Sequence, residues 1–148
     1  MISLVDITPT NRDKCISLSV APEQKNFVAA NIDSLTEAKN EPGMHPIGIS
    51  KDGELVGFAM YGYDSETNKS WIIRFMIDTY YQRKRFGTEA LNMLIQLLSD
   101  KHAGSDIRLC VEPENVGGIK FYESFGFQST GEKWGNEIIY ELKSQNHI

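Results

Sequence analysis

The segment "SWIIRFMID", Ser70 to Asp78, constrains the fold more than any other stretch. Trp71, Ile73, Phe75 and Ile77 alternate with Ile72, Arg74, Met76 and Asp78, so an extended chain here carries apolar side chains on both faces. A strand of that kind sits centrally in its sheet and is covered on each side, as in α/β architectures. Just before it, "PIGIS" and "LVGFAMYGY" read as two strands joined at Asp52-Gly53, a dipeptide suited to a tight hairpin turn. From Gly87 the period changes, and Leu91, Leu94, Ile95 and Leu98 mark one face of a helix of about three turns.

The remaining elements follow the same signals. "SLVDI" is a short strand. Thr10, with Asp13 three residues on, marks a helix start, and Pro22 opens a second helical stretch carrying Phe27, Val28, Asn31, Ile32 and Leu35 at helical spacing. That stretch ends near Glu41, because Pro42 disfavours helix at the residue before it. "DIRLCVE" is a strand, "NVGGIKFYESF" a short helix that Gly126 can stop, and "FGFQSTG" and "NEIIYEL" are two closing strands. The predicted order is β-α-α-β-β-β-α-β-α-β-β, a mixed sheet in one α/β domain over residues 1–148.

Composition excludes several function classes. A chain of 148 residues, 41% hydrophobic and 24% charged, buries a core of its own and is globular. No apolar run reaches membrane-spanning length, and "MISLVDITPT" lacks the basic start and apolar core of a signal peptide, so the cytoplasm is the expected location. Cys15 and Cys110 lie far apart without metal-ligand spacing and read as reduced thiols. His45, His102 and His147 are scattered, and no metal site is expected. A net charge of −5 argues against nucleic acid and suits a cationic partner.

Against that acidic background, "YYQRKRFGTEAL" places Arg83, Lys84 and Arg85 where the central strand gives way to a helix. Unpaired N–H groups and the dipole already make such a helix start an anion site, and cations strengthen it for a polyanion such as a pyrophosphate. Neither a GxxxxGK[ST] loop nor a dinucleotide-binding glycine fingerprint is present.

"MIDTYYQRKRFGTEAL" resembles the coenzyme A-binding signature of the GNAT N-acetyltransferase superfamily, Gln/Arg-x-x-Gly-x-Gly/Ala, with Gln82 in first place and Gly87 in last. "EPENVGGIKFYESFGF" resembles the superfamily's second segment, an asparagine followed by a helix bearing Phe-Tyr-Glu. One departure stands out. Arg85 occupies the place of the signature's first glycine. There arginine either adopts an αR-type conformation and offers its guanidinium to phosphate, or narrows the site.

The resemblance implies a GNAT fold with the fourth and fifth strands splayed apart, and direct acetyl transfer from acetyl-coenzyme A to a primary amine. Backbone groups at Phe75, Met76 and Ile77 would hold the acetyl and pantetheine portion. Gln82, Arg83, Lys84, Arg85, Phe86, Gly87 and Thr88 would form the phosphate loop, and Asn115, Lys120, Phe121 and Tyr122 would complete the coenzyme site. Asn115 also reads as a helix N-cap. Tyr122 is the expected general acid, since a phenol stays protonated at neutral pH, although the same ring reads as core packing. Glu112 and Asp78, at the ends of the two flanking strands, are the alternatives for general base.

"SVAPEQKNFVAANIDSLTEA", "VGFAMYGYD" and "WIIRFMID" resemble the bacterial spermine/spermidine (diamine) acetyltransferase branch. This places Gln24, Phe27 and Asn31 on the acceptor side and implies a polyamine substrate. Asp33, Glu37 and Glu41 recur every four residues, forming an acidic face if the second helical stretch is continuous. Glu23, Asp64 and Glu66 would add to it and draw in a polycation. The alternatives are another small amine, a protein N-terminus, or a non-catalytic acyl-coenzyme A-binding module. A homodimer through the C-terminal strands is the assembly the resemblance suggests.

Overall fold

The structure is a computed structural model that describes residues 1–25, 27 and 29–144. Val28 and His147, named above, lie outside the described residues. Seven strands form one sheet: β1 (Ile2–Asp6), β2 (His45–Lys51), β3 (Glu54–Asp64), β4 (Lys69–Ile77), β5 (Asp106–Val111), β6 (Gln128–Trp134) and β7 (Glu137–Leu142). Four α-helices accompany them among the described residues: α1 (Arg12–Ser17), α2 (Asn31–Asn40), α3 (Phe86–Lys101) and α4 (Val116–Glu123). The sheet order is β1-β2-β3-β4-β5-β7-β6. β4 and β5 run parallel, and every other neighbouring pair is antiparallel. No helix among the described residues is long and apolar enough to cross a membrane.

The β2–β3 hairpin turns at Asp52 (φ 51°) and Gly53 (φ 91°), as the dipeptide predicts. Two left-handed residues in succession match the twist of the flanking strands. β4 is central and covered on both sides. On one face α3 contributes fully buried Ala90, Leu91, Leu94 and Leu98 against Ile72, Ile77 and Val56. Each fully buried leucine is worth about 2 kcal/mol. On the other face Phe58, Met60 and Met76 meet Cys15, Leu18 and Leu35 from the α1–α2 region.

Four local expectations are corrected. α3 is 16 residues long, more than the three turns its apolar face suggests. α1 begins at Arg12 rather than after Thr10, because Asn11 bonds back to the preceding chain: its Oδ1 accepts from Thr8 N at 2.7 Å and its Nδ2 donates to Asp6 O at 2.8 Å. The helical stretch from Pro22 is not continuous. Pro22–Gln24 forms one 3-10 turn, and α2 starts afresh at Asn31, behind an extended Ala30. Asn31 is buried and donates to Cys15 O at 2.8 Å, which fixes that restart. Asp33, Glu37 and Glu41 therefore form no continuous acidic face, since Glu41 lies past the end of α2.

Candidate active site

β4 and β5 are hydrogen-bonded neighbours only from Lys69–Trp71 against Asp106–Arg108. Beyond Trp71 they part. Two features set the divergence. β4 carries a bulge at Ile73, because Met60 pairs with Arg74 while Tyr61 pairs with Ile72, and a bulge bends its strand. Below the bulge, charged side chains clamp the paired end. Lys69 Nζ reaches Asp106 at 2.8 Å and Glu141 at 3.1 Å, and Arg108 Nε reaches Glu141 at 2.6 Å.

The opening between the strands is a cleft of about 810 Å³. Phe75, Met76 and Ile77 border it, and the β4 edge facing the gap lacks a strand partner among the described residues. At one end stands the N-terminus of α3, with Gly87 and Thr88 on the wall. The first-turn N–H groups of a helix have no intrahelical acceptor, and the N-cap residue, Arg85, supplies no side-chain cap. Arg83 and Arg85 border the same end. Free amides beside two guanidiniums fit a diphosphate, and an unpaired strand edge fits an amide-bearing arm.

Arg85 does not adopt the αR-type conformation expected of an arginine. Its φ of 66° and ψ of 11° are left-handed, and Arg83 also has a positive φ, 64°. The backbone keeps the shape a glycine would give the loop. Lys84 and Phe86 turn the other way, bordering a smaller recess with Lys51 and Tyr81. Lys120 is exposed and outside the cleft wall. Alternate residues of a tight loop face opposite sides, which splits the expected cofactor set.

α4 closes the far wall. Asn115 caps it, Oδ1 accepting from Gly118 N at 3.0 Å, and borders the cleft as well. Phe121 stacks on Phe75 at 6.2 Å between centroids and meets Tyr122 edge-on. Tyr122, also on the wall, packs against Phe127, and burial pushes its phenol up to about 12. Its hydroxyl has no hydrogen-bond partner among the described residues, leaving it free for a ligand atom.

The two carboxylates considered for the base part company. Glu112 borders the cleft. Asp78 is only 6% exposed and lies off the wall, its oxygens accepting from Ser19 N at 2.7 Å and Tyr80 N at 3.2 Å. It caps the 3-10 turn Thr79–Tyr81 and holds the chain reversal after β4.

On the acceptor side, Gln24 and Phe27 border the cleft. Glu23 is exposed and off the wall, and Glu37 is paired with Arg74 at 2.9 Å. Asp64 accepts from Glu66 N and Thr67 Oγ1 in the β3–β4 turn, beyond the paired end of the cleft. Tight turns consume such side chains locally.

The sequence reading missed Glu137 and Arg74, both on the wall. Glu112 and Glu137 each stand one residue beyond the Val111–Ile138 pair. Leu109 and Val111 pack toward α3, so alternation sends Cys110 and Glu112 to the opposite face of the sheet. Glu137 precedes Ile138, the partner of Val111, so the same alternation sends it to the face of Cys110, whose thiol burial, and secondarily that carboxylate, raises. Neither Glu112 nor Glu137 has an ion-pair partner among the described residues. The cleft is thus cationic at the α3 end, while the opposite face carries Glu112 and Glu137 together with Arg74, whose charge is matched by Glu37. No signal along the chain announces Glu137, because its place depends on how β7 pairs with β5.

Known proteins match this arrangement. Residues 11–127 match the profile of the Acetyltransferase (GNAT) family. A spermine/spermidine N(1)-acetyltransferase of Bacillus subtilis (strain 168) is 34% identical over 137 residues, covering 88% of this chain and 90% of the relative. The PaiA N-acetyltransferase of Thermoplasma acidophilum, solved in complex with coenzyme A, shares the fold with a TM-score of 0.73 at 19% identity, over 97% of this chain and 99% of that one. The aminoglycoside acetyltransferase AAC(6')-Ib, also solved with coenzyme A, superposes with a TM-score of 0.79 at 16% identity, over 98% and 95% of the two chains. The chain belongs to the Acetyltransferase (GNAT) family and is an acetyl-coenzyme A-dependent N-acetyltransferase.

Proposed function

We propose that the acceptor is a polyamine of the spermidine or spermine kind, and that the described cleft brings it to the acetyl group from the face opposite α3. The observation that carries this reading is the Glu112–Glu137 pair. Two like charges opposed at the end of the β5–β7 ladder cost stability unless a cation joins them, and a polyamine supplies one. The names of the Bacillus relatives point the same way.

Acetyl-coenzyme A supplies an activated thioester. Arg83, Arg85, Gly87 and Thr88 hold its diphosphate, the free edge of β4 from Phe75 to Ile77 positions its arm and acetyl group, and Asn115 and Phe121 line the arm's other side. Glu112 takes up the proton that the acceptor ammonium must lose, directly or through water. Glu137 anchors the incoming amine. Tyr122 donates the proton that the departing thiolate needs, and its raised pKa keeps the phenol charged with that proton across the working pH range. Gln24 and Phe27 shape the acceptor wall.

Thiol release from acetyl-coenzyme A, followed with and without spermidine, tests this reading. We expect saturable release that depends on spermidine. Glu137→Gln should raise the KM for spermidine about tenfold, as loss of one charge-assisted contact does. Tyr122→Phe should lower kcat roughly 100-fold with coenzyme A affinity unchanged. Release supported by an aminoglycoside or a peptide N-terminus but not by polyamines would sink the polyamine assignment and leave the acetyltransferase standing.

A further inference from the structure

Gln82 opens the phosphate loop, yet its side chain points back across the site. Its Nε2 donates to Ile77 O and to Gln24 Oε1, both at 2.9 Å. Gln24 belongs to the 3-10 turn on the acceptor side, and its Oε1 also accepts from Ala21 N at 3.3 Å. The orientation of both amides is dictated by the backbone. A carbonyl at Ile77 requires a nitrogen from Gln82, and an N–H at Ala21 requires an oxygen from Gln24. The same two segments are joined twice more: Ser19 N donates to Asp78 Oδ1 at 2.7 Å, and Thr79 N donates to Ser19 O at 2.8 Å. The end of β4, the start of the phosphate loop and the turn beside Phe27 are therefore bonded into one unit.

We propose that the Gln24–Gln82 hydrogen bond is a latch that makes the acceptor wall respond to the phosphate loop, with both glutamines acting as positioning residues. A ligand that fixes residues 83–88 fixes Gln82, which holds Gln24 and stiffens the turn that carries the acceptor wall. Coupling of this kind is reciprocal, so an amine held against the wall also favours the loop geometry that grips the diphosphate. The inference rests on coenzyme A entering the cleft and is independent of which amine is acetylated.

The test reads hydrogen exchange at the amides of Gln24 and Lys25, with and without saturating coenzyme A. Those amides donate to Ala21 O and Pro22 O, bonds that side-chain substitutions leave in place. Saturation is set by calorimetric titration of coenzyme A on each variant. In the wild type we expect exchange at both amides to slow about fivefold or more. Gln24→Leu removes the acceptor, and Gln82→Leu the donor; in either, the slowing should disappear. Gln24→Glu keeps an oxygen facing Ala21 N and Gln82 Nε2, so the slowing should persist. Gln82→Glu sets an acceptor against two acceptors and should lose it. Equal slowing in the wild type and Gln24→Leu, or none in the saturated wild type, overturns the latch. Loss in Gln24→Glu overturns it too, since a filled turn would then suffice.

Discussion

At the scale of single residues, Arg85 holds a shape that its side chain opposes. In the left-handed region an L side chain crowds its own carbonyl at a cost of about 1–2 kcal/mol, and Arg85 sits there at φ 66°. Arg85→Gly should therefore raise the stability read from the urea midpoint by about 1 kcal/mol. The same change should weaken coenzyme A binding roughly tenfold, because a guanidinium is lost from the end of the cleft proposed to hold the diphosphate. The sequence displays an arginine in the glycine's place but not which of the two dictates the backbone. That answer lies in the bonds of the neighbouring chain, where Gln82 and Asp78 fix the path on entry and α3 fixes it on exit. The positions of Tyr122 and Asn115 on the cleft were legible because both ride on a local segment that folds as one helix with its cap.

At the scale of elements, the hairpins and α3 follow from periodicity and turn chemistry, while the cleft follows from strand pairing. Glu137 escaped the sequence reading because its neighbours come from β5, and no local signal sets the β5-β7-β6 order. The stretch from Pro22 to Glu41 misled for a related reason. Its spacing suits a helix, but the Ser19 and Gln24 bonds to the β4–α3 connection pull its first third away. Behind the cleft, β3 and β4 approach so closely that a Cβ on Gly57 would collide with Met76 O. Gly57→Ala should push β4 off its track and destabilise the protein by about 2 kcal/mol, as overpacking does. Coenzyme A affinity should fall with it, since the displaced edge is the one facing the cleft; titration calorimetry reads the loss.

At the scale of the whole molecule, the clamp below the cleft ties stability to pH. Burial alone would raise the Glu141 carboxyl, but hydrogen bonds from Lys143, Arg108 and Lys69 outweigh it and hold the group down at about 2. Asp106, despite its own burial, is also held low, chiefly by Lys69. Depressed carboxyl values mean that the folded state binds fewer protons than the unfolded chain. The stabilisation is then complete above the ordinary carboxylate value and is lost as pH falls from there toward about 2. Glu141 alone accounts for about 3 kcal/mol of it. Urea unfolding at stepped pH should show that loss, and Glu141→Gln should be less stable at pH 7 with a flatter acid limb.

The clamp also decides where light is reported from. The chain contains two tryptophans. Trp71 is the last β4 residue paired with β5, with the Arg108 guanidinium 6.0 Å from its ring, and Trp134, 68% exposed, meets it edge-on at 6.1 Å. Tryptophan emission from the entire protein thus originates where β4 and β5 part, and a ligand that spreads or narrows the two strands writes its effect into that emission without any label.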